Sequence, residues 1–320
     1  MLYPMAMQVV YLDQNAASCL AKSNPGTIWQ EIREALTDGF RGRKLVCPLP
    51  FEGVVETAPM PLEQRQSLQT LFWELSEGVA FESFTEMSNQ LTLALIRPAP
   101  AWSPWIIWKP IWAEMDSAAQ KIKADLKSEK ERMTERMHGF VRSPNIEGMS
   151  ERELFHAVAW QRSVRICKDL DCLLAGRAAE DSLNCPWLIE FLASANLSPA
   201  EIGALKTAVQ YHGWAKIPIH TFNILVGARW EYDYIRGGTA SYEPNDEIDR
   251  MRAAVALSHA DVFITEGGMA DLCRRAKVSD FCPTLVLSVR NPEMVLKAVR
   301  SITGGPNDSA RTSPARTWLE

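Results

Sequence analysis

The stretch Tyr242–Arg275, YEPNDEIDRMRAAVALSHADVFITEGGMADLCRR, constrains the fold more than any other part of the chain. Val262-Phe263-Ile264-Thr265 is a short β-branched and aromatic run without polar alternation, the pattern of a buried parallel strand. Ahead of it, Ala253-Ala254-Val255-Ala256-Leu257 offers the small apolar surface that a helix needs to lie close on a sheet. Pro244 and Asn245 break the chain before that helix, because the residue preceding a proline avoids the helical region and Asn favours turns. Gly267 and Gly268 read as a second turn after the strand. Acids mark both ends of the unit. Asp246 and Asp249 lie three apart and share a helix face. Asp261 ends the connector, and Glu266 follows the carboxyl end of the strand, where open α/β sheets bind ligands.

The flanking regions extend this pattern. Gln8–Leu12 is a short apolar strand ending in Asp13-Gln14-Asn15, with helices expected over Ala16–Ala21 and Thr27–Thr37. Lys44–Cys47 reads as a second strand closed by Pro48, and Phe51–Thr57 as a helix start carrying Glu52 and Glu56. Leu62–Leu75 is amphipathic, and Val79–Phe84 reads as a third strand. Thr284–Val289 and Pro292–Ile302 give a final strand and helix. Alternating strands and helices predict an α/β fold around a parallel, doubly wound sheet. The middle of the chain differs. Residues 99–235 read as helical, with hardly any strand, and Trp102, Trp105, Trp108 and Trp112 recur at helical spacing. Lys121–Met137 is highly charged, Gly139–Gly148 is a loop, and Glu151–Leu174 reads as a long amphipathic helix. Pro186–Ala195, Pro199–Tyr211 (with Ser198 as its N-cap) and Pro218–Tyr234 complete the helical set. The domain map is therefore 1–98 with 236–303 as the α/β core, 99–235 as a helical insertion, and a disordered tail over 304–320.

Composition removes several function classes. At 320 residues with 47% hydrophobic content the chain can bury a large core, and a net charge of −5 argues against a globally basic nucleic-acid binder. The seven cysteines form no CxxC pair and have no histidine cluster beside them, so zinc is not expected. No run of eighteen apolar residues occurs, and the expectation is a soluble, reduced, cytoplasmic protein with no membrane partner.

Three separated pieces then belong together: Val-Val-Tyr-Leu-Asp-Gln-Asn at 9–15, Cys-Pro-Leu-Pro-Phe-Glu-Gly-Val-Val-Glu at 47–56, and Asn-Asp-Glu-Ile-Asp to Ala-Asp-Val-Phe-Ile-Thr at 245–265. In that order they resemble the PIN domain, a metal-dependent nuclease fold, over about half the chain. The resemblance implies a three-layer α/β/α fold with acids clustered at the carboxyl edge of the sheet. It puts Asp13, Glu56 and Asp249 at three family acid positions, as ligands of Mg²⁺ or Mn²⁺. The family often shows Thr-x-Asp after the penultimate strand, whereas here Thr265 is followed by Glu266 and Gly267. Either Glu266 supplies a fourth carboxylate from one position earlier, or that ligand is missing. The resemblance also implies RNA, single-stranded, rather than DNA as substrate.

The chemistry of such a cluster can be argued without the family. Two carboxylates about 4 Å apart repel by roughly 4 kcal/mol at an effective dielectric near 20. Several converge stably only if some are protonated or a divalent cation joins them, and that cation can orient a phosphodiester and activate a water. Asp13, Glu56, Asp249 and Glu266 are thus candidate catalytic residues, with Asn15, Asp246 and Thr265 as supporting ones. Each has a structural alternative: Asp13, Asn15 and Asp246 as helix caps, Glu56 as a solvated acid in competition with Glu52, Asp249 as an acid favoured by its helix dipole. Asp261 is read as structural. The tryptophans are read as core, and the segment 121–142, with seven Lys or Arg against four Asp or Glu, as a solvated face. Two other readings compete with the nuclease. One is a non-enzymatic protein that keeps the fold and binds a protein partner through the insertion. The other is an acid-cluster phosphatase, disfavoured because Asp13-Gln14-Asn15 lacks the second aspartate of that nucleophile motif.

Overall fold

A computed structural model describes residues 7–57, 60–97, 105–107, 148–150, 191–192, 194–212, 218–237 and 244–304, with scattered positions between 153 and 175. The chain divides into two compact units, one formed by Met1–Phe84, Pro104–Met133 and Tyr242–Glu320, the other by Thr85–Ser103 and Thr134–Ser241.

The first unit is α/β. Its main sheet has four parallel strands in the order β2-β1-β5-β6, where β1 is Gln8–Leu12, β2 Leu45–Val46, β5 Val262–Thr265 and β6 Leu285–Ser288. β1 and β5 are neighbours in the middle, with Val10 beside Val262, Tyr11 beside Phe263 and Leu12 beside Ile264. Val9 to Leu12 and all of Val262–Thr265 are buried, as the two unbroken apolar runs require of strands covered on both faces. Tyr11 anchors the core between Phe81 and Phe263, at ring-centroid distances of 5.3 and 5.4 Å, the second pair edge to face. The helices in order are α1 (Gln14–Ala21), α2 (Ile28–Arg41), α3 (Phe51–Thr57), α4 (Leu62–Ser76), α8 (Pro244–His259), α9 (Gly267–Arg275) and α10 (Pro292–Thr303). The numbers between belong to α5 (Phe84–Leu93), which starts at the boundary between the units, and to α6 and α7 of the second unit.

The organising stretch folds as helix and strand, with two differences from the sequence reading. α8 starts at Pro244, because proline suits the first helical position, where its missing N–H costs nothing. Asp246 therefore lies in the first turn and is not the cap. Gly267-Gly268 is not a turn but the start of α9, for which Glu266 is the N-cap residue. Every residue from Arg252 to Ser258 is buried, so α8 is enclosed against α3 and β5. Asp261 behaves as the structural acid expected of it: its carboxylate accepts from the Val9 N–H at 2.7 Å, at the amino end of the strand pair.

The third strand is shorter than expected. β3 is Val79–Phe81, and α5 begins at Phe84, whose N–H donates to the Glu52 carboxylate at 2.6 Å. β3 does not join the four-stranded sheet as a named strand. It flanks Leu49 in parallel and pairs antiparallel with β4 (Trp105–Ile107). That strand corrects the reading of 99–235 as nearly strand-free and of Trp105 as part of a helical stripe. Trp105-Ile106-Ile107 is aromatic and β-branched and lies between Pro104 and Pro110, a composition that suits an edge strand better than a helix.

The described elements of the second unit are helices. α6 (Pro199–His212) opens with a capping box: the Ser198 N–H and hydroxyl donate to Glu201 at 2.9 and 2.8 Å, and the Glu201 N–H donates to the Ser198 hydroxyl at 3.3 Å. α7 (Pro218–Gly237) buries His220, whose ring nitrogen lies 3.1 Å from the Ser88 hydroxyl. The unit begins at Thr85, earlier than the boundary at 99 expected from sequence, because the buried face of residues 85–93 meets α7. The readings made for 121–137, 139–147 and 305–320, and for Trp102, Trp108 and Trp112, lie outside the described residues. No described helix is long and apolar enough to cross a membrane.

Candidate functional site

From β1 the chain moves to β2 on one side, while β5, reached much later, lies on the other side and leads on to β6. The sheet therefore has its topological switch point between β1 and β5, and in open α/β sheets ligands bind outside the carboxyl ends of the strands at such a point. Asp13 directly follows β1, Thr265 closes β5, and Glu266 follows it.

Asp13 is held there by three donors. Its Oδ1 accepts from the Ala16 N–H at 2.7 Å, capping α1, while Oδ2 accepts from the Thr265 hydroxyl at 2.6 Å and the Glu266 N–H at 2.7 Å. The cap and the site residue are thus one group. With 1% exposure, Asp13 keeps its orientation by bonds that only an acceptor on both oxygens can make. The backbone ladder runs one step past the strand, with the Asp13 N–H donating to Ile264 O at 3.0 Å, so the two strand ends are locked in register. Asn15, in the first turn of α1, donates its amide to the Glu266 carboxylate at 3.1 Å.

The second half of the site comes from α3 and α8. One guanidinium, that of Arg252, pairs with both Glu56 and Asp249, through separate nitrogens. Asp249 and Arg252 are three apart on α8 and so share a face, and α3 packs alongside to bring Glu56 across. Burial works against the Arg252 charge, but the carboxylates of Glu56 and Asp249 outweigh it and hold its pKa above the ordinary arginine value. The two halves belong to one electrostatic neighbourhood. Burial raises the Glu266 pKa first, and the Asp249 and Asp13 carboxylates raise it further, against the opposing pull of Arg252 and Arg290. Arg290 lies over Gly267, where a Cβ would come within 2.3 Å of its Nε, so only glycine admits the arginine at this approach.

Of the acids singled out from sequence, Asp13, Asp249 and Glu266 thus lie within one another's electrostatic reach, Glu56 joins Asp249 through Arg252, and Thr265 and Asn15 support Asp13 and Glu266. Asp246 stands one turn before Asp249, half-buried. Sequence reasoning missed the cation at the centre. Arg252 has the same three-residue spacing from Asp249 that links Asp246 to Asp249, and only the search for acids hid it. It also missed the depth of the site. Glu52, one turn before Glu56, is buried with one oxygen on the Phe84 N–H, and burial pushes its carboxyl up. Its other oxygen, the Tyr11 hydroxyl and the Arg252 Nε are buried without a hydrogen-bond partner among the described residues. Burial raises the Tyr11 pKa first, and Glu52, Asp13 and Glu56 raise it further against the pull of Arg252, so the Tyr11 hydroxyl shares their electrostatic neighbourhood.

The donor set suits a hard divalent cation in kind, since all four candidates offer carboxylate oxygens, and in charge, since four acids face a single bridging guanidinium. That guanidinium bridges Glu56 and Asp249, while Asp13 is fixed by its own three donors. Among the described residues no three His, Cys, Asp or Glu side chains stand ready to share one ion. Comparison of the chain with protein-family models, with curated proteins and with solved structures gave no match.

Two outcomes follow from this geometry. Asn caps helices about as well as Asp, but in Asp13→Asn one amide N–H₂ must face the N–H of either Ala16 or Glu266. The substitution should therefore lower stability by about 1–3 kcal/mol, the cost of an unsatisfied buried group, in a urea titration; unchanged stability would contradict the three-donor environment. Glu52 carries a pH signature. Because folding raises its pKa, its favourable contribution is complete below the ordinary value near 4.5 and is lost as pH rises through the higher folded value. Glu52→Gln retains an oxygen for Phe84 and removes that loss. The variant should be the more stable protein at pH 7, with the advantage fading as pH falls to the ordinary glutamate value.

Proposed function

We propose that this chain is a PIN-like nuclease that hydrolyses phosphodiester bonds of single-stranded RNA with Mg²⁺ or Mn²⁺. The observation that carries this reading is the convergence of Asp13, Glu56, Asp249 and Glu266, from four separate chain segments, at the switch point of a parallel sheet. Asp13, Glu56 and Asp249 would hold the ion, with Glu266 as the further carboxylate. The ion would supply charge stabilisation at the phosphoryl oxygens and an activated water. The residues of the chain do the positioning. Thr265 and the Glu266 N–H fix the Asp13 carboxylate, and Asn15 restrains Glu266. The preference for RNA rests on the resemblance alone.

A second reading has its own support. Arg252 already occupies Glu56 and Asp249, and Glu266-Gly267 stands where the family shows an aspartate one position later, both features suited to a PIN-fold protein that binds a partner without cleaving. The phosphatase reading loses ground, because both oxygens of Asp13 are engaged by donors and Asn15 offers an amide where a second acid is needed.

A cleavage assay on single-stranded RNA with Mg²⁺ or Mn²⁺, run beside a small phosphate ester, separates the three. The nuclease reading predicts metal-dependent RNA cleavage that Asp249→Asn lowers by about 100-fold or more, as expected when several kcal/mol of transition-state stabilisation are lost. RNA binding or inertness without cleavage in either metal sinks it, and turnover of the small ester alone favours the phosphatase.

A further inference from the structure

We infer that Arg252 is an internal counter-ion that competes with a divalent cation for Glu56 and Asp249, so that the protein takes up metal only by breaking its own ion pairs. This rests on the metal-dependent reading above and adds its regulation. Three observations support it. A single guanidinium bridges the two carboxylates, one from α3 and one from α8. Its side chain is 6% exposed, so water screens the two pairs little. Its Nε is buried with no hydrogen-bond partner among the described residues, so the cation is held from the front by the acids and not from behind.

The charge chemistry then sets the behaviour. An arginine stays protonated across the physiological range, so the competitor cannot be removed by titration. A dication brings two charges to oxygens that now share one, but it must first separate them from a bidentate donor whose planar fork matches two carboxylates. The observed affinity is reduced by the fraction of molecules in which the oxygens are free. The same contact that weakens metal uptake holds the acids together, since without a cation their repulsion would oppose the packing of α3 on α8.

The test compares Mn²⁺ binding by calorimetry in wild type, Arg252→Gln and Arg252→Lys, together with Mn²⁺-induced shifts in melting temperature. Lysine keeps the charge but, as a compact ammonium, does not fork across both acids, so it serves if the glutamine variant fails to fold. The inference predicts Mn²⁺ binding about tenfold tighter or more in the folded variants, and a larger Mn²⁺-induced stabilisation than in wild type. Equal or weaker Mn²⁺ binding in the variants overturns it, as does the absence of binding in all three proteins. RNA cleavage by wild type reports separately. Tighter binding in the variants with no cleavage leaves the competition standing and removes the nuclease, whereas cleavage by wild type with unchanged affinity does the reverse.

Discussion

Several carboxylates that face one poorly hydrated space must be given a positive charge or a proton, and in this protein Arg252 supplies the charge. Its two ion pairs join α3 to α8, and α8 in turn leads into β5, so the cation ties the outer helices to the central strand pair. Removing one partner of a buried pair of this kind costs roughly 3–5 kcal/mol in other proteins, because the remaining charge is left uncompensated. Among the described residues Glu266 forms no ion pair of its own. Its carboxyl is pushed up by burial and by Asp249 and Asp13, which is how the remaining excess of negative charge shows itself.

The second constraint is the register of β1 and β5. Parallel neighbours place the residues that follow them side by side, and the chain uses this to join Asp13 to Thr265 and to the Glu266 backbone across a separation of some 250 positions. The aromatic contact of Tyr11 with Phe263 lies two residues back along the same strand pair and stiffens it. The acids are thus not carried on loops. They sit at strand ends and on a helix enclosed almost completely by the core.

Much of this was legible in the residues. The unbroken apolar runs at 9–12 and 262–265 announced buried parallel strands, and the acids immediately after them marked the candidate site, because strand type and strand end are both local properties. What could not be read was which side chains face one another across helices. Arg252 and Glu56 are 196 positions apart, and their pairing depends on how α3 and α8 pack, which no spacing rule contains. Glu52 was weighed only as a rival to Glu56, and its burial depends on the Phe84 N–H from another segment. Gly267-Gly268 misled because glycine pairs usually signal turns, whereas here the lack of a side chain admits Arg290 at the start of a helix. Trp105 misled because its spacing from other tryptophans suited a helix, while its immediate neighbours suited a strand.

The central claim is that the acids around Arg252 form a metal site at the sheet's switch point. Anomalous diffraction from crystals grown with Mn²⁺ tests it most directly. A manganese peak is expected among carboxylate oxygens of Asp13, Glu56 and Asp249, with the Arg252 guanidinium withdrawn from Glu56 or Asp249. A map with no manganese among these side chains, and Arg252 still bridging Glu56 and Asp249 at saturating Mn²⁺, would contradict it.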